Sequence, residues 1–497
     1  MQQHKNLMVV GTSSGAGKSI TVTGLCRIFY KDGLKTSPFK SQNMSLNSFI
    51  TLDGKEMGRA QVVQAIACAI EPQSFMNPIL LKPNSDTKSQ VILNGKSIGN
   101  MGWKEFTKFK LTLRDEIVDI YNENIRSKYD VCVLEGAGSP VEINMSEMDM
   151  VNMGMAALVD APAILVADID KGGVFASIYG TAMLMSEDER KNLKGVIINK
   201  FRGDRTVLEP GLKKIEAMLN IPILGVIPHF NIDIEDEDGF NSRMYRKVNE
   251  KENAVKVSIV KNDLVSNFND FDPFNIYPDV RVKFVTTAEE LDGEDLVILP
   301  GSKNTIEDFI KMKKLGITDK ILELSKAGTP IIGICGGLQM LGEKIKDPYL
   351  VETDLGEVGA LGLLPIETTM EKIKKTVQYD GLTPKLNGMY EACSNLTVQG
   401  YEIHQGVSKY SDSSLNNEEI TFISKDNIFA TYVHGIFDNK EFTDRVLNYI
   451  REKKGMEKYE NKLSFQEYRD IELDKLEKVM RDNLDIEKIY RILNKEL

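Results

Sequence analysis

The sequence predicts two α/β domains in series, the first a doubly wound parallel sheet built on a P-loop. Three observations carry this. Short apolar runs at 7–10, 131–134, 163–167 and 195–198, most of them rich in Val or Ile, alternate with helical patterns, as strands buried on both faces do. A second such series starts at 255–260 and continues through 280–285, 296–299 and 331–334. The stretch between the two series, 232–252, is charge-rich and includes an acidic run at 235–238.

These runs place a first domain at 1–230, a linker at 231–252, a second domain at 253–445 and a charged helical tail at 446–497. In the tail, Leu473, Leu476 and Met480 recur at helical spacing. A chain of 497 residues exceeds what one hydrophobic core supports, which agrees with this division.

Composition excludes several classes of function. Lys and Arg total 62 against 73 Asp and Glu, a formal net charge of −11. An acidic chain without a Lys/Arg block is a poor partner for nucleic acid or an anionic membrane. No apolar run reaches the ~20 residues of a membrane span. The polar start shows no secretion signal, and the five Cys have no metal-like spacing, so a reducing cytoplasm is expected.

The phosphate loop is Gly11-Thr12-Ser13-Ser14-Gly15-Ala16-Gly17-Lys18-Ser19, between the first strand and a helical pattern. It departs from G-x-x-x-x-G-K-[ST] at one place: Thr12 stands where the first glycine belongs, and Gly11 comes one residue early. Gly15 and Gly17 let backbone N–H groups close around phosphate at a helix N-terminus. Lys18 is expected to reach the β- and γ-phosphates of ATP, and the Ser19 hydroxyl to bind Mg²⁺. Glu135 ends the 131–134 run at the sheet edge where ligands bind in such folds, and is read as the second magnesium ligand. The alternative for Glu135 is a strand end facing solvent. Lys40, Asp168 and Asp170 end other strands and are similarly placed.

The second series carries a different device. Residues 330–342 read as a strand, then Cys335 within G-x-C-x-G, then a helix: the cysteine form of a nucleophile elbow. A thiol there stands at a helix N-terminus, which favours thiolate. The Gly336 N–H is placed to stabilise an oxyanion, and Gly301, after another strand, is a candidate for the second donor. A cysteine nucleophile needs a base. Of the four His, His434 follows the predicted strand 428–433 and is preferred, with His404 as competitor. Cys26, Cys68, Cys132 and Cys393 lack any such context, and His229 reads as structural.

Together these pieces resemble the cobyric acid synthase family, glutamine-dependent amidotransferases of cobalamin synthesis. The resemblance covers nearly the whole chain. The phosphate loop alone points only to the wider dethiobiotin-synthetase-like group. More specific are the stretches 38–48, 58–61, 76–83, 166–177, 266–273 and 400–404. The resemblance implies a dethiobiotin-synthetase-like ATP domain followed by a flavodoxin-like glutaminase domain. It implies ATP, Mg²⁺, glutamine and a corrinoid, adenosylcobyrinic acid a,c-diamide, as reaction partners. Its b, d, e and g carboxylates would be phosphorylated and then amidated with ammonia released at Cys335. Asn199 is expected at adenine, as in dethiobiotin synthetase relatives. In one respect the chain departs from better-known glutamine amidotransferases: Ile436 stands two residues after the histidine, where they often carry Glu, so the group that orients His434 is unassigned.

The nearest alternative is cobyrinic acid a,c-diamide synthase, against which stretches 42–48 and 76–83 argue. A ParA-like nucleotide switch is a different class, and it predicts no elbow cysteine.

Overall fold

A computed structural model describes residues 4–83, 88–143, 149–235, 253–262, 265–412 and 418–497. The predicted linker therefore lies mostly, from 236 to 252, outside the described residues. The chain divides into two compact units. The first comprises Met1–Ser45, Glu56–Asp238 and Arg469–Leu497; the second comprises Leu46–Lys55 and Gly239–Tyr468. Two segments thus fall elsewhere than a simple series of domains places them. Leu46–Lys55 joins the second unit, and the last part of the tail joins the first.

The first unit is built on a six-stranded parallel sheet. Its order is Ile223–Pro228, Leu193–Phe201, Ala163–Asp168, Lys5–Gly11, Val131–Glu135, Thr36–Phe39. Lys5–Gly11 is central, and the chain departs from it first to one side and then to the other. Ligands bind at the carboxyl ends of strands at such a reversal. Both faces are covered, so the central strands are apolar over most of their length and buried except at Lys5, with Glu135 and Asp168 at their carboxyl ends. A smaller sheet of Gln42–Met44, Ile79–Pro83, Lys88–Leu93 and Lys96–Gly102 brings together two of the stretches singled out in the sequence.

One face of the main sheet is closed by the C-terminal residues. Leu473, Leu476 and Met480 pack with Val22, Leu25 and Ile28 of the helix Lys18–Lys31. Gly24 is needed there, since a Cβ on it would meet Met480 Cγ at 2.8 Å. Arg27 Nη2 pairs with Asp474 Oδ1 at 2.7 Å. The Asp485 N–H donates to the Leu224 carbonyl at 2.7 Å, tying the chain end to the edge strand.

The second unit has its own six-stranded sheet, ordered Val280–Val285, Val255–Val260, Leu296–Leu299, Ile331–Ile334, Ile428–Thr431, Phe422–Lys425. All neighbours are parallel except the last pair. A second sheet pairs the long strands Ile366–Leu382 and Thr397–Tyr410. The strand expected at 428–433 is broken at Tyr432. Ile428–Thr431 stays in the parallel sheet, while Val433–His434 pairs with Tyr401 and Glu402 of the other. The break delivers His434 to the side where the nucleophile strand ends. Among the described residues, no helix is long and apolar enough to cross a membrane.

Candidate active site

In the first unit, the phosphate loop leaves the central strand as expected. Gly11 closes that strand, and a Cβ there would meet Lys18 Cγ at 2.9 Å. The early glycine therefore makes room for the lysine to fold back over the loop. Lys18 Nζ donates to the carbonyls of Ser13 at 3.0 Å and Gly138 at 2.9 Å. The Thr12 N–H donates to the Val166 carbonyl, pinning the start of the loop to the adjacent strand. Gly15 and Gly17 have φ of 69° and 100°, values that glycine adopts without strain.

Asn199 packs under the loop. Its Nδ2 donates to the Ala16 carbonyl at 3.2 Å, and its Oδ1 accepts from the Lys200 N–H. A Cβ on Gly17 would come within 1.9 Å of Asn199 Nδ2, so glycine and amide interlock. Lys200 Nζ bridges the Gly15 carbonyl and Asp168, while Asp170 lies against Arg202.

Glu135 is 1% exposed, which removes the solvent-facing alternative. Oε1 accepts from Ser19 Oγ at 2.8 Å and from Lys40 Nζ at 2.9 Å, and Gln64 Nε2 donates to Oε2. Burial raises the pKa of this carboxyl; the Lys40 ammonium and these hydrogen bonds outweigh burial and hold it below the usual range, hence ionised. Ser19, Lys40 and Glu135, drawn from three separate elements, thus form one cluster beside the loop. Gln64 was not anticipated, because nothing in a helix reading of its segment marks which polar residue turns inward.

In the second unit, Cys335 stands between the strand Ile331–Ile334 and the helix Gly336–Leu341. Its φ of 53° and ψ of −105° are strained for a residue with a Cβ, a cost of order 1–3 kcal/mol at such positions. The turn is held by the Cys335 N–H donating to the Thr431 carbonyl at 2.8 Å. Its tightness is visible at the two flanking glycines. A Cβ on Gly337 would meet the Leu299 carbonyl oxygen at 2.0 Å, and one on Gly333 would meet Leu341 Cδ1 at 2.5 Å. Gly336 abuts the backbone of Ser302, whose N would be 2.9 Å from an added Cβ. Gly301 lies against His434, 3.2 Å from Cε1 by the same construction. Gly301, Gly336, Cys335 and His434 are therefore brought to one place.

His434 is buried. Its Nδ1 meets Asp270 Oδ2 at 2.7 Å, and the Gly435 N–H donates to Asp270 Oδ1 at 3.0 Å. Its Nε2 has no hydrogen-bond partner among the described residues. Burial lowers the pKa of the ring, but the carboxylate of Asp270 and the adjoining sulfur of Cys335 outweigh it and push His434 up to about 10. Asp270 is the group missing from the sequence reading. It takes the place left by Ile436 from 164 residues upstream. The available signal was its position inside the stretch 266–273.

His404 is engaged at both nitrogens, Nδ1 with the Gly406 carbonyl at 2.6 Å and Nε2 with Glu402 at 3.1 Å. Its ring stacks on Tyr432 at 3.8 Å between centroids.

A phosphate-loop unit and a cysteine-elbow unit on one chain define a glutamine-dependent amidotransferase with a nucleotide-binding domain. Residues 7–239 match the CobQ/CobB/MinD/ParA nucleotide binding domain, and residues 256–442 match the CobB/CobQ-like glutamine amidotransferase domain. A cobyric acid synthase of Clostridium botulinum is 49% identical over 98% of this chain and 99% of its own length. Those of Clostridium tetani and Clostridium acetobutylicum are each 46% identical, over 98% and 99% of this chain and 98% and 99% of their own lengths. The chain belongs to the cobyric acid synthase family.

Proposed function

We propose that this enzyme uses ATP and glutamine to amidate the b, d, e and g carboxylates of adenosylcobyrinic acid a,c-diamide. The observation that carries the reading is the Asp270–His434 pair set against Cys335, a complete glutaminase constellation on a chain that also holds a phosphate loop.

In the glutaminase half, Cys335 Sγ attacks the amide carbon of glutamine. The backbone at Gly336 and Gly301 faces the oxygen that gains charge. His434, held protonated by Asp270, gives its proton from Nε2 to the departing nitrogen, which leaves as ammonia. It then takes a proton from the water that cleaves the thioester, releasing glutamate and restoring the sulfur. We leave His404 out of this role because both of its nitrogens are engaged elsewhere.

In the synthetase half, a substrate carboxylate attacks the γ-phosphorus of ATP, giving an acyl phosphate and ADP. Ammonia attacks the acyl carbon and phosphate leaves, giving the amide. Activation is required because a carboxylate is a poor electrophile. Lys18 meets the charge that develops on the transferred phosphoryl group. The oxygen-only set of Ser19 and Glu135 suits Mg²⁺, which takes one or two protein ligands plus phosphates. When bound, the ion would neutralise charge on the phosphates. Lys40 keeps Glu135 ionised for that task. We assign Asn199 to bracing the loop at Ala16 and Gly17, in place of adenine recognition. With no membrane-crossing helix among the described residues and no basic block, we place the enzyme in the cytoplasm.

The test is mass spectrometry of the corrinoid after incubation with ATP, Mg²⁺ and glutamine. Conversion of the a,c-diamide to cobyric acid is expected. Inertness of the a,c-diamide, with amidation of cobyrinic acid at a and c instead, would assign the chain to the other amidation step.

A further inference from the structure

Asp270 sits near the start of a 3₁₀ segment, Phe268–Ile276, whose first backbone donors need partners from outside it. The residue before that segment, Asn267, is in the left-handed region with φ of 54°. Its side chain does not cap its own helix. Capping comes instead from a distant part of the sequence. Asn47 Oδ1 accepts from the Phe268 N–H at 3.2 Å, and Asn267 Oδ1 accepts from the Ser48 N–H at 3.1 Å. Both asparagines are buried. The exchange clamps the turn that aims Asp270 at His434.

The same short segment also fixes the ring on the other side of the histidine. Tyr401 stacks on His434 with centroids 5.5 Å apart and planes within 20°. Its hydroxyl donates to the Ser48 carbonyl at 3.0 Å, and Phe49 packs edge-on to it at 5.2 Å. Asn47, Ser48 and Phe49 therefore touch both supports of His434. They lie within the sequence span matched by the nucleotide-binding family, 7–239, yet belong to the second unit.

We propose that Asn47–Phe49 is a positioning element of the glutaminase centre, with Asn47 and Asn267 setting Asp270 and thereby His434. It rests on the reading of Cys335 and His434 as that centre. Loss of the clamp lets Asp270 retreat from Nδ1, and misplacement of a catalytic group by about an ångström can cost on the order of a hundredfold.

The experiment uses the full-length enzyme with ATP, Mg²⁺ and the a,c-diamide, and measures glutamate release and amide formation from glutamine and from ammonium. Cys335→Ala is the control for the underlying reading; if it still releases glutamate, that reading fails by itself. Asn47→Ala is expected to lose roughly tenfold to a hundredfold in glutamine hydrolysis. Ammonium-driven amidation should be retained. Among the described residues, Asp270, Cys335 and the stacked Tyr401 are titratable groups that face His434, and Asp270 raises it most, so weakening Asp270 should also move the alkaline limb of glutamine hydrolysis to lower pH. Asn267→Gly keeps the left-handed backbone and removes only the side chain, and should shift both readouts the same way. Unchanged rate and pH profile in both variants overturn the inference while leaving the Cys335 reading intact. Equal loss of glutamine- and ammonium-driven product also overturns it, since that marks a general structural role.

Discussion

Asp270 Oδ2 lies 2.7 Å from Nδ1 of His434, both side chains buried, and the same carboxylate accepts the N–H of Gly435. The acid thus fixes both the ring and the backbone that carries it. Asp270→Asn preserves the shape and removes the charge. Glutamine hydrolysis should fall by up to roughly 10⁴-fold, the scale seen when an orienting acid in a triad is neutralised. Steady-state glutamate release measures it.

The same pair predicts a pH dependence. The folded value of His434 is raised, to about 10 against about 6.5 for a free imidazole. Its stabilising contribution is therefore complete below about pH 6.5 and is lost as pH rises through about 10. In the wild-type enzyme the imidazolium should persist through neutral pH. In Asp270→Asn it should titrate at lower pH, which NMR of the ring protons can follow. Identical titration in the two proteins would separate Asp270 from the charge state of His434.

Glu135→Gln should cut ATP-dependent amidation steeply and raise the magnesium concentration needed for half-maximal rate. Lys40→Met leaves a buried carboxylate without its cation. Such losses cost about 3–5 kcal/mol. Denaturant titration followed in the first unit checks this. The cost should be largest near neutral pH, where Glu135 is ionised, and should shrink as acid protonates the carboxylate.

The C-terminal residues should be required by the nucleotide-binding unit. Leu476→Ala opens a void against the helix that begins with Lys18 and Ser19. A loss of about 2–5 kcal/mol is expected from such a deletion, with weaker nucleotide binding measured by calorimetry. Gly24→Val should act in the same direction by collision with Met480.

Much of the fold was legible because its signals are local. The strands Val255–Val260, Val280–Val285, Leu296–Leu299 and Ile331–Ile334 fall on the residues their apolar runs mark. The phosphate loop and the thiol elbow are each contiguous, so their glycines, Lys18 and Cys335 could be found in one dimension. Cys335 and His434 were joined by an argument about strand ends, and the structure brings them together by breaking the chain at Tyr432, which no periodicity announced.

What escaped the sequence depends on long-range packing. Asp270 replaces an acid usually sought two residues after the histidine, and its pairing across the fold leaves no spacing to read. Leu46–Lys55 belongs to the second unit although its neighbours on both sides belong to the first. The apolar spacing of Leu473, Leu476 and Met480 was visible, but an amphipathic stripe does not say which surface it covers. The preference for Gln64 over other polar residues near Glu135 follows only from the way its helix is seated.

On the proposed function, the glutaminase half needs Cys335 and the synthetase half does not. The most direct measurement compares Cys335→Ala supplied with glutamine or with concentrated ammonium at alkaline pH, scoring corrinoid amidation by mass spectrometry. No amidation from glutamine and near wild-type amidation from ammonium are expected, because the thioester requires the sulfur and the acyl phosphate does not. Loss of the ammonium-driven reaction in a folded Cys335→Ala enzyme would contradict the proposed function.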